Sequence, residues 1–203
     1  MRKVTKIVLG FAIIVVLVPL VLTVIQYRLY DHKSPVSDAE LFASEYPWVS
    51  QENVFVYKTP AEILQILEKG RGVIYFGFSS CQRCQHYVPY LNQVAQKEGI
   101  DKIYYTDIKE ERAQNSEIYQ KIVDVLKEYL LDDEEGNPRI YVPDVTIVNK
   151  GAIIFHDNES SVVTEEDWTP DEYWTPSRVS ALQERLSQAM KKLPRFCGEW
   201  CNE

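Results

Sequence analysis

The chain has 203 residues, of which 45% are hydrophobic and 26% are charged, and this is the composition of an ordinary globular protein. The composition excludes a collagen-like or largely disordered chain, and the length suits one domain with a short additional segment. Residues 34–203 hold 17 basic and 29 acidic residues, a net charge of −12, which argues against binding to nucleic acids because phosphates would repel it.

An uncharged apolar segment of 19 residues extends from Ile7 to Ile25. At a rise of about 1.5 Å per residue it nearly crosses a hydrocarbon core of about 30 Å, and membrane helices tolerate a proline such as Pro19. A cleaved signal peptide is the alternative, but the run is longer than is usual for one and no small-residue cleavage pattern follows it. We therefore expect residues 1–30 to be a cytoplasmic stub and a transmembrane signal anchor.

The basic residues around this segment predict its orientation. Three basic residues and the free amine precede it, whereas two basic residues follow it. This excess favours a cytoplasmic N-terminus, since basic residues stay on the inner side of a membrane. We expect a protein that crosses the cell membrane once, through residues 7–25, with its large C-terminal part outside the cell.

The remaining pattern predicts alternating strands and helices. Residues 31–50 mix proline, serine and acidic residues, which indicates a tether, with a short helix in it, that leads into a domain at 51–203. Thr59 and Glu62 form a capping box for a helix at 61–69, which follows a strand at 54–57. The later elements predicted are a strand at 72–78, a helix at 81–97, a strand at 102–108, a helix at 115–131, a solvated loop at 132–138, hairpin strands at 144–149 and 152–155, and a helix at 177–193. This order indicates an α/β fold with a mixed sheet and helices on both faces.

Two cysteines stand where the predicted strand 72–78 gives way to a helix. Unpaired N–H groups at a helix N-terminus stabilise a thiolate, so Cys81 is the predicted nucleophile. Cys84 lies one turn later and can resolve a mixed disulfide on Cys81, while the cation of Arg83 further favours the thiolate. A zinc site is the alternative, but it needs four ligands and the next cysteines are more than a hundred residues away. We expect no metal and no cofactor.

Residues 72–155 resemble a thioredoxin-fold protein in the order strand, C-x-x-C motif, helix, strand, helix, and then Val142-Pro143 before a hairpin that turns at Gly151. The resemblance implies a thioredoxin-like three-layer fold with a central mixed sheet. It also implies that Pro143 follows a cis bond, packs against the cysteine pair and, together with Val142, shapes a groove for a bound peptide. A trans proline at the start of an edge strand is the alternative. The insertion at 108–139, the anchor and the cysteine-containing tail look similar to the bacteriocin transport accessory proteins of Gram-positive bacteria.

The sequence departs from the thioredoxin pattern at three places. Tyr75 stands where thioredoxins carry a buried aspartate, Ser80 replaces the aromatic residue before the first cysteine, and Gln82-Arg83 replaces Gly-Pro. Because the residues between the cysteines and the nearby acids set the redox potential, a strongly reducing role is in doubt. The sequence leaves open whether the pair oxidises, reduces or isomerises disulfides.

A second pair, Cys197 and Cys201, lies near the end of the chain. In an oxidising compartment two neighbouring exposed cysteines usually pair with each other, which predicts a small structural disulfide. A relay of electrons to Cys81 and Cys84, and the capture of copper or zinc, are the alternatives. Four cysteines allow three pairings, and the sequence does not choose among them.

The main hypothesis from the sequence is extracytoplasmic thiol-disulfide exchange on proteins or peptides, with a membrane redox partner. A non-catalytic accessory protein for peptide or bacteriocin export is the rival, supported by the acidic domain, the missing aspartate at Tyr75 and the insertion at 108–139. Metal delivery through the cysteine pairs is a third hypothesis, and it predicts stoichiometric copper or zinc in the purified protein.

Overall fold

The structure is a computed structural model, and it describes residues 18–19, 36–158 and 169–194. The predicted anchor at 7–25 lies outside the described residues except for its positions 18 and 19, and the pair Cys197 and Cys201 lies wholly outside them. Across the part described, no helix combines the length and the apolar character that crossing a membrane requires. The chain divides into two compact units, residues 1–37 and 38–203, and the elements below belong to the second unit.

The second unit alternates helices and strands through most of its length. Its helices are α1 (Asp38–Glu45), α2 (Pro60–Lys69), α3 (Gln82–Lys97), α4 (Lys109–Ala113), α5 (Glu117–Leu126), α6 (Pro170–Tyr173) and α7 (Pro176–Met190). Its strands are β1 (Phe55–Tyr57), β2 (Arg71–Gly77), β3 (Ile103–Asp107), β4 (Leu131–Asp132), β5 (Pro138–Arg139), β6 (Asp144–Asn149) and β7 (Ala152–Asp157). The protein is therefore an α/β protein, as predicted.

Five strands form one mixed sheet in the order β1-β3-β2-β6-β7. The strands β1, β3 and β2 are parallel, whereas β6 and β7 pair antiparallel to their neighbours. The β6–β7 hairpin turns at Lys150 and Gly151, whose φ angles of 52° and 76° are those that a two-residue hairpin turn requires. The short strands β4 and β5 form a separate two-stranded sheet.

The central strand β2 is covered on both faces. Every residue from 73 to 77 is buried, which is typical of a parallel strand between two helical layers. The helix pairs α2–α5 and α3–α7 pack together and supply this cover. Helix α2 begins as predicted, because Thr59 and Glu62 form a complete capping box and Pro60 occupies the first turn.

Residues 38–50, part of the segment that the sequence analysis described as a tether with a short helix, pack against the sheet. Phe42 and Tyr46 are fully buried, and the Phe42 ring stacks on Phe55 of β1 at a centroid distance of 3.8 Å. The apolar residues of this segment form two short blocks rather than a long periodic pattern, and their burial depends on the aromatic partners that β1 and β3 supply. The domain therefore begins near Asp38, where the second compact unit begins.

The predicted helix 115–131 is shorter in the structure. Helix α5 ends at Leu126. The apolar pattern predicted that the helix continues with Tyr129 on its buried face, but Tyr129 and Leu131 are exposed. The predicted solvated loop after it is a small hairpin in which β4 pairs with β5 across a turn at Gly136. Helix α4, in the same insertion, was not predicted because its polar sequence has no apolar face.

Candidate active site

The two thiols lie at the junction of β2 and α3. Cys81 is the N-cap residue of α3, and its sulfur accepts a hydrogen bond from the backbone N–H of Cys84 at 3.2 Å. The side chain of Gln85 fixes the preceding loop by donating to the carbonyl oxygen of Ser79 at 2.7 Å. Cys81 is partly exposed and Cys84 is fully buried, and both are free thiols.

These surroundings give the two thiols different pKa values. The hydrogen bond from the Cys84 thiol, helped by backbone N–H groups and by the charge of Arg83, lowers the pKa of Cys81 to about 7 although burial opposes it. Burial raises the pKa of the Cys84 thiol well above its usual range, and the interaction with Cys81 adds to the effect. Near neutral pH the accessible sulfur is partly thiolate while the buried sulfur keeps its proton.

The segment before β6 completes this side of the site. The Val142–Pro143 peptide bond is cis, as the resemblance implied, and the Val142 carbonyl oxygen lies 3.9 Å from the Cys81 sulfur. A groove of about 440 Å³ runs over the thiol, and its walls include Phe78, Val142 and Arg83. The structure thus brings Cys81, Cys84, Arg83 and Val142 together at the N-terminus of α3.

One wall of this groove comes from a residue that the sequence analysis missed. The guanidinium of Arg112, on α4, lies 5.2 Å from the centroid of the Phe78 ring and donates a hydrogen bond to the Ile140 carbonyl oxygen at 3.1 Å. Arg112 and Tyr141 line both the groove and a neighbouring cavity of about 800 Å³ within the insertion. The i, i+3 spacing of Lys109 and Arg112 was the available signal, but nothing in the local sequence places that helix beside Cys81.

Tyr75, which the resemblance aligns with an aspartate of thioredoxins, is fully buried beside the Cys84 thiol. Its hydroxyl is buried next to Cys84 but makes no hydrogen bond of normal geometry. Burial, together with the charge of Cys84, raises the pKa of Tyr75 well above its usual range. The Tyr46 hydroxyl donates to the Tyr105 hydroxyl at 3.4 Å nearby. These phenols stay protonated near neutral pH and cannot replace an aspartate as a base.

A second titratable pair lies directly after Pro143. The Asp144 carboxylate is fully buried and lies 2.8 Å from Nε2 of His156 on β7, while Thr146 donates to its other oxygen at 3.3 Å. Burial raises the pKa of Asp144. Burial works against the charged form of His156, but the hydrogen bond and charge of Asp144 outweigh it and raise its pKa. The pair was not predicted, because His156 stands twelve residues from Asp144 and meets it only through the hairpin.

Within residues 36–158 and 169–194, no group of three or more histidine, cysteine or acidic side chains is placed to hold a metal ion. Comparison with protein families, with curated proteins and with solved structures found no significant match. A functional assignment therefore depends on the thiol pair, the groove above it and the residues that tune their charges.

Proposed function

We propose that the protein is a membrane-anchored, thioredoxin-like oxidoreductase that exchanges thiols and disulfides on proteins or peptides outside the cell membrane. The observation that carries the proposal is the difference between two neighbouring thiols. Cys81 is accessible and has a pKa lowered to about 7, whereas burial raises the pKa of Cys84. A nucleophile and a resolving thiol need this difference, because only one of them should attack an incoming substrate.

The architecture supports the thioredoxin-like part of the proposal. The mixed sheet has its C-x-x-C motif after the central strand β2, at the N-terminus of a 16-residue helix. The neighbouring antiparallel strand β6 begins directly after Pro143, so its preceding residues border the thiol. In this arrangement an extended substrate can lie along residues 141–142 and present a disulfide to Cys81.

The proposed reaction has two exchange steps. The Cys81 thiolate attacks one sulfur of a substrate disulfide, the substrate S–S bond breaks, and its other sulfur leaves as a thiolate that takes a proton from solvent. Cys84 then gives up its proton and attacks the Cys81 sulfur, which breaks the mixed disulfide and releases the second substrate thiolate. The substrate gains two electrons, and the protein is left with a Cys81–Cys84 disulfide.

A second reaction must return the protein to its starting state. A membrane dithiol partner would reduce the Cys81–Cys84 disulfide by the same two steps, itself becoming a disulfide. Run in reverse, the two exchanges deliver a disulfide to a substrate dithiol, and the reduction potential of the pair selects the direction. The apolar run at 7–25 would hold the domain on the outer face of the cell membrane, close to such a partner.

The test uses the full-length chain in cells with single-cysteine changes at the pair. A Cys84→Ser variant keeps the nucleophile but cannot resolve the mixed disulfide, so we expect it to accumulate substrates linked through Cys81. These species should disappear on reduction and be absent from the Cys81→Ser control. If Cys84→Ser, expressed at the wild-type level, traps no more disulfide-linked protein than Cys81→Ser, the proposed catalysis is wrong.

The 800 Å³ cavity beside the thiols favours a second candidate function. It lies between α4, α5 and the β4–β5 hairpin, in the insertion at 108–139, and it could hold part of a peptide without any redox chemistry. A non-catalytic accessory protein for peptide or bacteriocin export would then use the same fold. The double variant Cys81→Ala, Cys84→Ala separates the two functions, because an accessory protein would keep its cellular function and an oxidoreductase would lose it.

A further inference from the structure

Positive charge gathers around Cys81 although the domain as a whole is strongly acidic. Arg83 and Arg112 line the groove over the thiol, and Lys109 donates to the Ser80 hydroxyl at 3.1 Å. Arg139 lies over the Tyr141 ring at the same end of the neighbouring cavity. Residues 34–203 have a net charge of −12, so this cluster is a local reversal of the surface charge.

Arg112 is the member of this cluster best placed to bind a ligand. Its guanidinium is half-buried, and the hydrogen bond to Ile140 is the only one it makes among the described residues. No carboxylate oxygen of those residues lies within ion-pair distance of it. A guanidinium has five N–H donors, so most of its binding capacity remains available on the side of the groove.

Three carboxylates in and beside the insertion accept hydrogen bonds from backbone or side-chain groups. Asp107 accepts the backbone N–H of Lys109 at 2.9 Å, and Glu111 accepts a hydrogen bond from the Ser116 hydroxyl. Asp133, on the far side of the cavity, accepts the backbone N–H groups of Glu135 and Asn137 at 3.0 and 2.9 Å. None of these three carboxylates forms an ion pair with Arg112.

We infer that the groove selects an extended peptide with an acidic side chain beside the cysteine that Cys81 attacks, and that Arg112 binds that carboxylate. The inference rests on the proposed function and adds the substrate class to it. Arg112 and Cys81 line the same groove of about 440 Å³, so a residue adjacent to the substrate cysteine reaches the guanidinium. The Phe78 ring lies 5.2 Å from the guanidinium, within cation–π range, and this contact restrains the side chain that we propose binds the carboxylate.

The test compares peptides that differ only in charge. Each peptide is amidated, contains one cysteine preceded by Glu, Gln or Lys, and forms a mixed disulfide with neutral 2-thiopyridine. The reduced full-length chain, in a mild non-ionic detergent, attacks the peptide sulfur and releases 2-thiopyridone, which is followed by absorbance. The Cys81→Ser variant supplies the background rate from the other cysteines. We expect the Glu peptide to react about tenfold faster than the Lys peptide at low salt.

Variants then assign this preference to a residue. Arg112→Gln should reduce the Glu-to-Lys ratio to about twofold or less, whereas Arg71→Gln, at the other end of β2, removes the same charge and should leave it unchanged. Removing Arg112 also removes a positive charge that stabilises the Cys81 thiolate. This slows the reaction of every peptide equally, so the measure is the ratio of the rates and not a single rate. Arg112→Lys keeps the positive charge but lacks the planar N–H donors that bind a carboxylate through two hydrogen bonds, and it should give an intermediate ratio.

The outcomes separate this inference from the proposed function. Equal rates for the Glu and Lys peptides on the wild-type chain would overturn the acidic preference while leaving the exchange reaction intact. A preference that survived in folded Arg112→Gln would overturn the role of Arg112. If no peptide reacted faster with the wild type than with Cys81→Ser, the proposed function itself would fail. A further Gln peptide ends at its cysteine in a free carboxylate instead of an amide. If it reacted as fast as the Glu peptide, this would support carboxylate binding and show that a C-terminal carboxylate can replace the acidic side chain.

Discussion

The acidity of Cys81 depends on Cys84, and a Cys84→Ala variant tests that dependence. The hydrogen bond from the Cys84 thiol is the largest of the effects that lower the pKa of Cys81 from 9.0 to about 7. Alanine removes the donor, so we expect the pKa of Cys81 to move toward 9. Cys84→Ser is the matched control, because its hydroxyl can still donate to the Cys81 sulfur and should keep the pKa closer to that of the wild type.

The size of the effect on rate follows from two opposing terms. At pH 7 a thiol with a pKa of about 7 is half thiolate, whereas one with a pKa of 9 is about 1% thiolate, a difference of about 50-fold. A more basic thiolate is also more nucleophilic. With a Brønsted slope of about 0.4 to 0.5, each thiolate in the variant reacts about six- to tenfold faster, which offsets part of the loss of thiolate. Alkylation of Cys81 should therefore slow by at most about five- to eightfold at pH 7 in Cys84→Ala.

The assay measures alkylation of the full-length chain by iodoacetamide between pH 5 and 10, with the Cys81 peptide followed by mass spectrometry so that the other cysteines do not interfere. The wild-type rate should rise with an inflection near pH 7, and the inflection in Cys84→Ala should lie at higher pH. An unchanged inflection in Cys84→Ala would show that the hydrogen bond is not the cause. A wild-type inflection near pH 9 would refute the assignment of Cys81 as the thiolate.

Two further predictions concern the support of the site. Folding raises the pKa of His156, so the stability from its charge is complete below about pH 6.5 and is lost as the pH rises through the folded pKa. His156→Leu leaves the buried Asp144 carboxylate without its ion-pair partner and should lose about 3 kcal/mol at pH 7. The double variant Asp144→Asn, His156→Leu removes both titrating groups and should lack the pH dependence in urea unfolding at pH 6 and 8; a dependence equal to that of the wild type would contradict the assignment. In Gly77→Ala the new Cβ would lie 2.5 Å from the buried Tyr75 hydroxyl, so thermal unfolding should show a loss of about 1 to 3 kcal/mol, and an unchanged melting temperature would refute the clash.

The sequence by itself determined the elements whose signals are local. The capping box of Thr59 and Glu62, the buried strand before Cys81, and the hairpin at Lys150 and Gly151 all appear within a residue or two of their predicted positions. Each depends on residues only two to four positions apart, through a cap, an alternation or a turn that forms within its own segment. The N-cap position of Cys81 belongs to the same class.

The tertiary structure alone decided which distant residues share the site. Arg112 reaches the groove over Cys81 from an insertion 31 positions later, and His156 meets Asp144 only because β6 and β7 pair. Likewise, Phe42 became part of the core because β1 supplied an aromatic partner for it. Residue types and their spacing indicate which secondary structure a segment forms. A contact between distant segments depends instead on how the sheet and its helices pack. The sequence alone therefore predicted Cys81 as the nucleophile, whereas the place of Arg112 beside it came only from the tertiary structure.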